Sequence, residues 1–139
     1  MHGRLTYQLI PEVTAWLNRQ HGEVDFFLTQ LLSGHGFFRQ YLPKRGFVSS
    51  AQCPECGFTE QTPEHVLFDC SRFKEVRQET FDTAGVRLAV ENLAGEMCRE
   101  EHTWLAVCRY ATYTMSVLQQ RWNKERRQQV STGEFVRVG

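Results

Sequence analysis

No run of apolar residues in this chain approaches the ~20 that a membrane-spanning helix needs, so no membrane segment is expected. The N-terminal stretch MHGRLTYQLIPEV has no apolar centre of the kind a secretory signal carries, and no other targeting signal is visible. Charge of one sign is not in excess either. The 16 Lys/Arg and 16 Asp/Glu cancel, so no whole-molecule field draws a polyanion to the surface. Repeats, low-complexity tracts and long Gly/Ser linkers are missing from the 139 residues, which leaves room for one domain with a real core. Cysteines number five, an odd count that does not read as a disulfide framework and fits a reducing, intracellular compartment. What is present is 41% hydrophobic and 12% aromatic residues, a composition that folds.

The charges are unevenly placed. Residues 47–103 hold most of the acids, while the segments before and after are net basic. One acidic and one basic surface can therefore share a globule.

Helical periodicity dominates. Pro11 can open a helix whose Val13, Trp16 and Leu17 share a face and which Gly22 stops. In VDFFLTQLLSGHG, Val24, Phe27, Leu28, Leu31 and Leu32 form an apolar stripe ended by Gly34 and Gly36. A short helix in FFRQYL is halted by Pro43. Thr62-Pro63-Glu64 reads as N-cap, first helical residue and an acid favoured by the helix dipole. Ser71 is expected to cap the next helix, with Phe73, Val76 and Phe81 inward and Gly85 at its end. Trp104, Cys108, Ala111, Met115, Leu118 and Trp122 recur at spacings of four and three. They mark one seam of a final helix of about 25 residues ending after Gln129. The fold class expected is mainly α: a compact helical domain over residues 1–129, with a flexible tail at 130–139. A zinc knuckle is inserted at about 50–73, and a long helix closes the chain.

The chemistry is concentrated at Cys53, Cys56, His65 and Cys70, a C-x2-C-x8-H-x4-C pattern. Three thiolates and an imidazole at this spacing suit one tetrahedral zinc ion. The C-x2-C pair turns around the metal, and the H-x4-C pair reaches it from one short helix and its end. With all four positions filled by protein, such a zinc holds structure and has no site for a reactive water. Cys98 and His102 make a second pair, but no third group orients them. They read as a buried thiol and a surface imidazole.

GRLTYQLIP, HGEVDFFLTQLLSGHGFFRQYL and CPECG followed by TPEHVLFDCSRF resemble the C-terminal segment of arthropod non-LTR retrotransposon reverse transcriptases, of the clade that inserts into ribosomal RNA genes. The resemblance runs from about Gly3 to Phe73 and weakly beyond. It implies a nuclear segment downstream of a polymerase domain, gripping template RNA or target DNA during target-primed reverse transcription. The polymerase's YxDD-type aspartate pair is not in this chain, and neither is an endonuclease domain, so no enzyme is expected.

Candidate nucleic-acid contacts follow. His35 lies between two glycines in the SGHG segment, where backbone can approach a ligand. Phe37, Arg39, Lys44 and Arg45 form an aromatic and basic group beside the knuckle. Arg121, Lys124, Arg126 and Arg127 form another on the last helix. Phe58, in the knuckle loop, either stacks on a base or packs beneath the metal. The function expected is non-catalytic binding of RNA or DNA. The alternative is a captured retrotransposon fragment that binds protein, with the Trp104–Trp122 seam pairing with a partner helix or with itself.

Overall fold

The structure, a computed structural model, describes residues 16–34, 38–39 and 51–132, with side chains through 128. His35, Phe37, Lys44, Arg45 and residues 133–139 lie outside the described residues, as does most of FFRQYL, whose Phe38 and Arg39 are not helical.

Among the described residues there are four α-helices, three of them built on expected stripes. Helix α1 is Phe26–Ser33. Asp25 caps it by accepting from the Leu28 backbone N–H at 2.8 Å, and Gly34, at φ 80°, closes it with a left-handed turn. Val24, expected on the stripe, lies before the cap and is exposed. Residues 16–17 are helical but the turn begins at Asn18, four residues before Gly22.

Helix α2 is Lys74–Ala84, entered through a 3-10 turn at Ser71–Phe73 and ended by Gly85 at φ 74°. Ser71 is not the cap. Cys70 holds that position, in extended conformation, and Ser71 is the first residue of the 3-10 turn. A short α3, Leu93–Arg99, occupies the connecting stretch. Asn92 holds the approach to it, accepting from the Ala89 N–H and donating to the Arg87 carbonyl.

Helix α4 is Glu101–Thr132, 32 residues long rather than about 25. No proline or glycine interrupts the sequence from 101 to 132, so nothing stops propagation where the apolar seam runs out. Cys98 and His102 fall on different helices, with the break at Glu100 between them.

Helices α1, α2 and α3 each pack on α4, which is the spine of the fold. Its seam is spent inside the chain: Trp104, Ala111, Met115, Leu118 and Trp122 are all buried, so it is not a free face for self-association. Leu28, Leu31, Phe38, Val66, Phe73, Leu93 and Met97 fill the other side of this core. Each fully buried side chain of this size stabilises by about 1.5–3 kcal/mol. Among the described residues, strand pairing is limited to one antiparallel bridge, Gln52 with Glu60.

The Trp104 ring shows how tightly the N-terminal segment is seated. Its indole N–H donates to the Glu23 carbonyl at 3.1 Å, and the Trp16 ring lies 4.9 Å away. The Arg19 guanidinium stacks 4.6 Å over Trp104 while bonding the Trp16 and Gly22 carbonyls. Gly22 is required here, because its backbone is at φ 92° and lies flat against the indole.

Candidate metal centre and its surroundings

The first two cysteines come from a miniature hairpin. The Cys53 N–H donates to Thr59 O at 2.7 Å and the Gln61 N–H to Ala51 O at 2.9 Å, which are the bonds of the bridge. At its tip the Gly57 N–H returns to Cys53 O at 2.9 Å. That turn needs φ 77°, which only glycine adopts freely. The glycine after C-x2-C is thus part of the knuckle geometry.

The other two donors come from an unusually wound helix. Thr62 caps it as expected: its Oγ1 accepts from the His65 N–H at 3.1 Å and its carbonyl from the Val66 N–H. From His65 to Asp69 the winding is π rather than α, and the Cys70 N–H closes the turn on His65 O at 2.7 Å. Ligand residues five apart are therefore tied by their own backbone. The chain then extends at Cys70 and leaves the site.

These elements bring four donor atoms within 4.8 Å of one another, three of the four residues buried. Cys53 Sγ and Cys70 Sγ are 3.9 Å apart, and Cys56 Sγ and His65 Nε2 3.3 Å. Zinc at about 2.3 Å from sulfur and about 2.0 Å from nitrogen sets tetrahedral edges of about 3.5–3.8 Å. The residues fit the ion. Cys53, Cys56, His65 and Cys70 could hold one zinc, saturating it as a structural centre.

The surroundings favour that state. Burial holds the His65 imidazole below its ordinary pKa and so neutral, as a ligand must be; Asp69 opposes this and Arg77 reinforces it. With Nε2 facing the sulfurs, Nδ1–H is left to donate to Thr59 Oγ1, 3.1 Å away. Burial acts upward on Cys56. Hydrogen bonds from the Phe58 backbone, the Cys53 and Cys70 thiols and the Thr59 backbone outweigh it and hold the group below the usual thiol range. Cys70 is the opposite case, pushed up to about 12 chiefly by burial. A metal bound there must displace a proton, which makes its affinity fall with acid.

Three polar residues that periodicity did not single out fasten this centre. Gln61 is buried. Its amide nitrogen donates to Cys53 Sγ at 3.5 Å, and its carbonyl oxygen accepts the Arg39 N–H at 3.0 Å. Glu55, between the first two cysteines, is only 3% exposed in its side chain and accepts ion pairs from Arg72 and Arg121. Arg77 is buried on α2 and reaches back to the π turn. Its Nε donates to Leu67 O at 3.0 Å, and its Nη2 to Val66 O at 3.3 Å and Cys70 O at 2.8 Å. The Tyr110 hydroxyl also donates to Val66 O.

The expected nucleic-acid contacts divide. Arg39 is buried and ion-paired with Glu125. Arg121 pairs with Glu55, which sets that end of α4 beside the knuckle. Lys124, Arg126 and Arg127 are exposed on α4, with Arg126 5.7 Å over the Trp122 ring. Phe58 is 83% exposed at the knuckle tip, so it does not pack beneath the metal.

Curated proteins with similar sequences are polyproteins of mobile elements. The chain is 36% identical over 90 residues to the retrovirus-related Pol polyprotein of type-1 retrotransposable element R1 2 of Nasonia vitripennis, covering 65% of this chain and 21% of that protein. To the R1 Pol polyprotein of Bradysia coprophila it is 30% identical over 90 residues, 65% of this chain and 8% of the relative. To that of Popillia japonica it is 30% identical over 73 residues, 51% and 30% respectively. The chain thus spans less than a third of the length of these relatives. No family model and no solved structure matches it. The resemblance to retrotransposon polymerase polyproteins, carried by the SGHG segment and the Cys/His cluster, is borne out by these relatives and by the clustered donors. No helix among the described residues is long and apolar enough to cross a membrane.

Proposed function

We propose that this chain is a zinc-bearing, non-catalytic accessory domain of a retrotransposon polymerase protein that grips template RNA or target DNA in the nucleus. The domain is assigned residues 1–129, with α4 running on to Thr132. The observation that carries the reading is the pairing of two unlike surfaces at one end of the fold. An aromatic ring, Phe58, stands 83% exposed on a metal-pinned loop. The Arg121–Glu55 ion pair sets beside that loop the end of α4 that bears Lys124, Arg126 and Arg127. A base can stack on the ring while the cations meet phosphates, which gives affinity dominated by the backbone and little sequence readout. His35, Phe37, Lys44 and Arg45, outside the described residues, are assigned nucleic-acid contact from the sequence alone. The burial of the α4 seam counts against a protein-binding module, which zero net charge and the acidic middle had left room for.

Binding of labelled single-stranded RNA and duplex DNA, titrated with salt, tests this. The expected result is a steep loss of affinity between low and physiological salt. Changing Lys124, Arg126 and Arg127 together to Ala should flatten that slope, and Phe58→Ala should weaken RNA binding roughly tenfold or more at unchanged melting temperature. No binding of either nucleic acid at low salt would overturn the proposal in favour of a protein-binding role.

A further inference from the structure

Arg77 is a buried cation with no carboxylate partner among the described residues. Its guanidinium donates to the carbonyls of Val66, Leu67 and Cys70. Tyr110, whose hydroxyl shares the Val66 carbonyl, is neutral, its phenol pushed up to about 12 by burial. Carbonyl oxygens satisfy the N–H groups but do not cancel the charge, and an uncompensated buried charge is costly. The other arginines near the centre, Arg72 and Arg121, are roughly two-fifths exposed and share Glu55. Their charges are met by an acid and by water.

A zinc ion bound by these ligands would supply the missing counter-charge. One Zn2+ with three thiolates and a neutral imidazole carries a net charge of minus one. Arg77 bonds the carbonyl of Cys70, the most deeply placed of these ligands, and the guanidinium and three of the four ligands are shielded from water.

We propose that Arg77 is the electrostatic partner of the metal–thiolate centre, a positioning residue whose positive charge stabilises a singly anionic Cys3His site. The inference rests on the metal reading and is independent of nucleic-acid binding. It makes a hydrogen-bonded clamp and a charged partner separable, because lysine keeps the charge without the guanidinium's three-carbonyl fork.

The test is zinc affinity of the full chain, measured by competition with a chromophoric chelator, for wild type, Arg77→Lys and Arg77→Met. Cobalt substitution reports whether the tetrahedral thiolate spectrum survives. Arg77→Met is expected to weaken zinc binding roughly 10–100-fold, the range for residues behind a ligand. Arg77→Lys should stay within about tenfold of wild type on the same scale. In a Cys56→His background, where the centre is neutral, the Arg77→Met penalty should shrink severalfold. Equal loss in the Lys and Met variants, or an undiminished penalty in the neutral background, would overturn the charge role and leave Arg77 a carbonyl clamp. If Cys56→His takes up no zinc, the comparison of Lys with Met decides alone.

Discussion

Removing the metal should melt the knuckle and leave α4 standing. Residues 51–61 are held by three backbone hydrogen bonds, from the N–H groups of Cys53, Gly57 and Gln61. At roughly 0.5–1.5 kcal/mol each, these contribute about 1.5–4.5 kcal/mol. Ordering the backbone of the segment costs about 1–2 kcal/mol per residue, roughly 11–22 kcal/mol in all. The hairpin buries few large apolar groups, and its one prominent aromatic, Phe58, faces solvent. The deficit is therefore of order 10 kcal/mol, which matches the ~10–16 kcal/mol that a structural zinc supplies in small peptides. Val66, Leu67 and Phe73, by contrast, are buried in the core that α4 organises. Hydrogen exchange followed by mass spectrometry, with and without a strong chelator, separates the two regions. Amides at 53–61 should lose all protection, those from His65 to Phe73 much of it, and those at 107–118 little. Should the amides of Cys53, Gly57 and Gln61 exchange no faster after complete chelation, the claim that the ion holds this segment is wrong.

Two further outcomes are expected. Gly22→Ala would place a Cβ 2.3 Å from Trp104 Cε2 on a backbone at φ 92°. It should destabilise by about 2–4 kcal/mol in urea denaturation, and a change within about 0.5 kcal/mol would contradict that close approach. Tyr110, with its phenol raised from 10.0 to about 12, favours folding while protonated. Its contribution is complete below pH 10 and is lost as pH rises from there to about 12, at most about 3 kcal/mol. An alkaline denaturation profile that is the same in Tyr110→Phe would refute this.

Features that depend on near neighbours in sequence were legible. Thr62-Pro63-Glu64 needed only capping chemistry to be read as a helix start, and Gly34 and Gly85 only left-handed backbone to be read as stops. The α4 seam followed from its period, and the four donors from their spacing. Residues whose role depends on a distant partner were not. Arg77 occupies a helix position where a charged residue normally means solvent, yet its partners are carbonyls of the π turn. Glu55 and Gln61 lie in a polar loop with no periodicity to mark them, but the knuckle folds both inward. The C-terminal limit of α4 failed for another reason. The apolar stripe stops at Trp122, and no proline or glycine follows it before residue 133 to end the helix.

The winding at His65–Asp69 ties a local backbone trait to the count of residues between two ligands. In a regular α-helix each residue turns roughly 100°, so donors five apart would point about 140° away from each other. Winding more residues into the turn lowers the rotation per residue and swings them back toward one side. A chain with one residue fewer there would reach the same ion from ordinary winding, so winding and spacing can change only together.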